Sequence, residues 1–120
     1  MSYLIKDVVK ITGITSHTLR YYEKEGILPP IDRDSGGRRV YSDENLTWLD
    51  IVTCLKATKM PVAQIKEIVR LSIIGDETIE ERKVILKNHR LEMVRQLDEL
   101  KNSIKKIDKK IAFYEGEDKC

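Results

Sequence analysis

Aromatic side chains are scarce in this sequence. They make up 6% of its 120 residues, while charged residues make up 35%. A core built from such a chain is mostly aliphatic, and any ring placed at a surface stands out. Cysteine is scarcer still: Cys54 and Cys120 are the two present. They make no disulfide framework, and the expected setting is the reducing cytoplasm. No run approaches the ~18 consecutive apolar residues that cross a bilayer. The N-terminus also lacks the basic start and apolar stretch of a secretory leader, so no membrane role is expected. Paired carboxylates in a pocket, a Ser/His/Asp set and a Gly-rich phosphate loop are all missing, so catalysis and a bound cofactor are not expected. A zinc, copper or mercury site needs several soft ligands. His17, His89, Cys54 and Cys120 are too few and too scattered, and no metal is expected.

Charge is nearly balanced, with 22 Lys and Arg against 20 Asp and Glu and a formal net charge of +2. That balance does not announce a polyanionic partner. Its distribution is more informative, because between Lys6 and Arg39 the basic residues outnumber the acidic ones.

The apolar spacing predicts mainly α structure. Ile5, Val8, Val9 and Ile11 lie on one helical face over about 5–12, closed by Gly13. Thr15 or Ser16 can cap a second helix over about 16–25, which Gly26, Pro29 and Pro30 end. Two short helices joined by a tight glycine turn make a helix-turn-helix candidate. Asp34-Ser35-Gly36-Gly37 is turn chemistry between two short extended pieces, so a hairpin wing is expected over about 31–41. Ser42 or Asp43 caps a third helix (about 43–58), and Pro61 opens a fourth (about 61–73). After Gly75-Asp76, the Thr78/Glu81 pair has the pattern of a capping box. Beyond it Met93, Leu97, Leu100, Ile104, Ile107 and Ile111 alternate spacings of four and three, the a/d seam of a coiled coil. The expected organisation is a winged helix-turn-helix domain at 1–75, a dimerisation helix at 76–115 and a tail at 116–120.

Arg20, Tyr21 and Tyr22 stand together on the second helix. At most one of the two tyrosines shares the inner face with Leu19. His17, Thr18 and Arg20 then fall on the exposed N-terminal part. An α-helix fits the major groove of B-DNA, its positive end favours phosphate, and Arg reads guanine. The prolines turn the chain so that an Arg-bearing hairpin can approach the DNA backbone alongside. The plainer alternative buries both rings and leaves Arg20 as a solvated charge.

The ordered pieces "TGITSHTLRYYEKEGILPP", "RDSGGRRVYSDENLTWL" and "LKATKMPVAQIKEI", followed by the long terminal helix, resemble the MerR family of bacterial transcription regulators. The resemblance covers essentially the whole chain. It implies a winged-helix domain, an antiparallel coiled-coil homodimer, and action on double-stranded promoter DNA. There the family bends and untwists an overlong spacer so that RNA polymerase reads both promoter elements. By motif, the implied DNA contacts are His17, Thr18, Arg20, Tyr21 and Tyr22 on the recognition helix, and Arg38, Arg39 and Tyr41 from the wing.

Cys54 lies on the third helix, off the face formed by Trp48, Ile51, Val52 and Leu55. With Leu46 and Ala57 it gives that helix a second, thinner apolar side. From the residues alone, an inert core cysteine is the simpler reading. The stretch from Thr53 to Arg90, however, resembles the NmlR/AdhR-type subgroup, linked to aldehyde, nitrosative and thiol stress. That resemblance implies a sensor thiol at Cys54, reacting with an electrophile or nitrosating agent. Lys56 and Lys59 are nearby cations that can favour a thiolate. The alternative function is a DNA-binding regulator or architectural protein without cysteine sensing. One departure from the family pattern is Lys59, where relatives usually carry glycine. It must take a left-handed backbone or end the helix differently.

Overall fold

A computed structural model describes residues 1–116. Cys120 and the greater part of the expected tail lie outside the described residues. Along the chain run β1 (Ser2–Leu4), α1 (Ile5–Thr12), α2 (Ser16–Lys24), β2 (Asp32–Arg33), β3 (Arg39–Ser42), α3 (Asp43–Ala57), α4 (Val62–Ile74) and α5 (Ile79–Tyr114). A single 3-10 turn, Asp76–Thr78, precedes α5.

Local chemistry sets most of these boundaries. The Leu4 amide donates to the Asp7 carboxylate at 3.1 Å where α1 begins. Gly13 closes α1 in the left-handed region at φ 75°, its amide bonded to the Val9 carbonyl. Thr15 is the cap of α2, its hydroxyl accepting from the Thr18 amide at 3.2 Å. Ser42 caps α3 in a reciprocal pair with Asn45, at 3.1 and 2.9 Å.

The hairpin is part of a larger sheet than the sequence suggested. β3 is central, antiparallel to β1 on one side and to β2 on the other. Tyr41 faces Tyr3 across one ladder, and Arg39 faces Arg33 across the other. Beneath the sheet and helices the core is aliphatic with two rings, Tyr22 and Tyr41, among Val8, Leu19, Ile27, Leu28, Leu49 and Ile65. On α3 the inward positions are Leu49 and Val52, while Ile51, expected on that face, is exposed.

Helix α3 ends without glycine. Lys59 takes φ 65°. Its amide bonds to the Lys56 carbonyl at 3.0 Å, and that of Met60 to the Leu55 carbonyl at 3.4 Å. This bonding is a Schellman closure with lysine at the position glycine favours. At the start of α5, Thr78 is buried. Its hydroxyl lies 2.6 Å from the Leu71 carbonyl and 2.8 Å from that of Gly75. Arg82 donates to the Thr78 hydroxyl at 3.1 Å and to the Gly75 carbonyl at 3.0 Å. Thr78 therefore finishes α4 rather than forming the expected forward box with Glu81.

The chain divides into two compact units after Lys83. The first holds the sheet, α1 to α4 and the first turn of α5. In the second, α5 exposes its whole apolar row: Met93, Leu97, Leu100, Ile104, Ile107 and Ile111 are each 40–60% exposed. Arg95 is bonded to both Glu92 and Glu99 on this helix. No helix among the described residues is long and apolar enough to cross a membrane.

Candidate nucleic-acid interface

The two faces of α2 are sharply different. Leu19 and Tyr22 are buried, whereas His17, Arg20 and Tyr21 are exposed, Tyr21 by 47%. Thr18 is half-buried, and its hydroxyl is bonded to that of Thr15 at 2.9 Å. The tyrosine pair is thus split between core and surface, with ring centroids 6.4 Å apart.

Beside α2 lies a cleft of about 320 Å³ whose charged lining is Lys6, Arg20, Arg33, Arg38 and Arg39. Lys6 and Arg33 were absent from the sequence-derived site. The start of α1 brings Lys6 there, and the register of β2 against β3 brings Arg33. Two acids sit among these cations. Asp34 folds the turn: its side chain accepts from the Gly36 amide at 3.0 Å, the Arg38 amide at 2.9 Å and the Arg38 guanidinium at 2.9 Å. These bonds, the Arg38 amide foremost, hold its carboxyl below the usual range. Glu23, on α2, accepts from Arg39 at 2.7 Å and from the Ile31 amide at 2.9 Å. Burial alone would raise the Glu23 carboxyl. Those two bonds and the charges of Arg39 and Arg33 outweigh it and hold the carboxyl below its ordinary value.

Two expected contacts are corrected. Tyr41 is fully buried. Side chains alternate along a strand, and Tyr41 falls on the inward face of β3, among the core residues, while its neighbour Ser42 is exposed. Burial pushes the Tyr41 hydroxyl up, and its oxygen has no hydrogen-bond partner among the described residues. Tyr22 is a core ring whose hydroxyl accepts from Lys56 at 3.3 Å, with the ammonium 4.9 Å from the ring centroid. Neither ring is presented at the surface.

Cys54 is a free, exposed thiol on α3. It is therefore not a core cysteine within the single chain. Lys56 is turned to Tyr22 rather than left free to serve the thiol. Among the described residues, no group of three or more His, Cys, Asp and Glu side chains is placed to hold a metal ion.

A capped helix with an exposed Arg–Tyr edge, a preceding helix across a tight turn, and an arginine-bearing wing define a winged helix-turn-helix DNA-binding protein. The family model described as MerR HTH family regulatory protein matches residues 3–72. An uncharacterized HTH-type transcriptional regulator of Haemophilus influenzae is 40% identical over 115 residues, which span 96% of this chain and 85% of the relative. The regulator AdhR of Bacillus subtilis is 36% identical over 90 residues, spanning 75% of this chain and 64% of AdhR. Among solved structures, that of HiNmlR, a MerR family regulator lacking the sensor domain, bound to promoter DNA, superposes with a TM-score of 0.75 at 40% identity. The match covers 97% of this chain and 92% of that one. The chain belongs to the MerR family and is a DNA-binding transcriptional regulator. Its similarities to AdhR and HiNmlR fit the NmlR/AdhR-type subgroup, and its relatives are regulators rather than enzymes.

Proposed function

We propose that this regulator binds its promoter as a homodimer, distorts the spacer between the promoter elements for RNA polymerase, and responds to thiol-reactive stress through Cys54. The observation that carries the dimer is the apolar row of α5. Six large aliphatic or thioether side chains at coiled-coil spacing are left half-open to water in the single chain, and a helix with such a stripe needs a partner. An antiparallel pair would present two copies of α2 to successive major grooves, with His17, Thr18, Arg20 and Tyr21 toward the bases and phosphates. Arg38 would approach the backbone from the wing. Phosphate contacts then fix register, and the deformability of the spacer carries further sequence information.

For sensing, the exposed thiol of Cys54 is the feature in favour. Its thiolate adds to the carbonyl carbon of an aldehyde, and the carbonyl oxygen takes a proton to give a hemithioacetal. A group added on α3 would change how the DNA-binding unit is held in the dimer. The test is Cys54→Ser in a reporter strain. It should bind the promoter as the native protein does and lose the response to aldehydes and nitrosothiols. A normal response in that strain removes the sensor and leaves a DNA-binding regulator or architectural protein without cysteine chemistry.

A further inference from the structure

An acid stands at the centre of a surface that must meet a polyanion. Glu23 lies on α2 three residues after Arg20, and its side chain is only 16% exposed. One carboxylate oxygen accepts from Arg39 at 2.7 Å and lies 3.9 Å from the guanidinium of Arg33. The other accepts from the amide of Ile31, the buried residue that leads into the wing. Arg33 and Arg39 are themselves paired across the β2–β3 ladder, and like charges in that relation repel. The carboxylate compensates both cations and ties both wing strands to the recognition helix. Arg39 is consequently drawn inward, its side chain 23% exposed, while the neighbouring Arg38 is 69% exposed. Arg20 and Lys6 have no acid within ion-pair distance among the described residues.

We propose that Glu23 is a positioning residue for operator recognition, which locks the wing to α2 and keeps Arg39 out of the set of phosphate-contacting cations. The inference rests on the reading that α2 and the wing face DNA. Arg20, Lys6 and Arg38 meet the duplex; Arg39 serves the geometry. The lock acts on specificity. A freed Arg39 is one more mobile cation that any duplex attracts, and a wing loose from α2 no longer fixes the register of base readout.

The test is a pair of salt titrations by fluorescence anisotropy. One uses an operator duplex selected by the native protein from a random-sequence pool, the other a scrambled duplex of equal length. Glu23→Gln should bind scrambled DNA more tightly and lose at least about tenfold in the operator-to-scrambled ratio. The log–log salt slope on scrambled DNA should steepen by about 0.9 for each phosphate newly contacted. Lost folding alone would lower the active fraction on both duplexes equally and leave the slope as it was. Arg39→Gln should keep the native slope on operator DNA while the ratio falls. A native ratio and slope in Glu23→Gln overturns the proposal. So does a slope in Arg39→Gln that is shallower by about 0.9 per lost contact, which would make Arg39 a phosphate contact. If Glu23→Gln does not fold, Arg39→Gln decides. Failure of the native protein to select any operator overturns the DNA-facing reading together with this one, whereas selection followed by unchanged variants overturns this one alone.

Discussion

Replacing Lys59 by glycine should make the protein more stable, although it removes a whole side chain. Lys59 holds φ 65° at the closure of α3, and its amide and that of Met60 complete the terminal bonds to Lys56 and Leu55. A residue with a Cβ in this conformation sets it against the carbonyl oxygen that follows, at a cost of about 1–2 kcal/mol. Glycine removes that cost but gives the unfolded chain more freedom, which takes back about 0.5–1 kcal/mol. Lys59 is exposed and has no ion pair among the described residues, so little else is lost. The expected net gain is about 0.5–1 kcal/mol, a rise of a few degrees in Tm for a unit of this size. Urea and thermal unfolding at one fixed protein concentration measure it, because melting of an assembled protein depends on concentration. A Lys→Gly change with the opposite sign is the control. At Lys87, exposed and more than two turns inside α5, it should cost about 0.5–1 kcal/mol through helix propensity alone. A destabilised Lys59→Gly would refute the reasoning, since it would mean that the lysine side chain contributes more than its backbone strain costs.

Arg20→Ala should weaken operator binding by about 1–3 kcal/mol per recognition helix if Arg20 reads a base, with the native Tm, because Arg20 is exposed and unpaired among the described residues; titration against the selected operator measures this. Ile104→Lys should give a monomer in analytical ultracentrifugation, since removing two buried isoleucines from a seam costs roughly 3–6 kcal/mol and each 1.4 kcal/mol is tenfold in association. The Glu23 carboxyl titrates below its ordinary value of 4.5 when folded, so its contribution to stability is present above that pH and is lost as pH falls through the folded value. Thermal melts from pH 7 to pH 3 should therefore show a shallower acid decline in Glu23→Gln than in the native protein.

The helices were legible because their signals are local. Gly13, the hydroxyl before α2, Ser42 and Pro61 each act on the nearest turn, and observed and expected boundaries there differ by a residue or so. β1 was not legible. Ser2–Leu4 is three residues long and earns its strand geometry only by pairing with residues near position 41, which no local pattern announces. Without it the hairpin has two strands rather than three. Tyr41 is a separate matter: the family motif implies a DNA contact there, whereas its position on β3 turns it into the core. Thr78 misled for a related reason. Its hydroxyl has two ways to be satisfied, forward into α5 or backward onto α4, and burial against the Leu71 carbonyl decides for the second.

Within the site, residue type told where the cations are and said little about which of them are free. Four arginines and a lysine line one cleft, yet their availability is set by two carboxylates. Asp34 spends its acceptors on making the turn and in doing so aims Arg38 outward at 69% exposure. Glu23 pulls Arg39 in. From spacing alone Glu23 is one more charge on a helix surface, three residues from Arg20, where such pairs are weak. Only the fold of the wing back over α2, sixteen residues on in the chain, turns it into the group that sorts the arginines. A count of basic residues therefore overstates the cations that stand free of an acid: of the five that line this cleft, Lys6 and Arg20 alone have no carboxylate within ion-pair distance among the described residues.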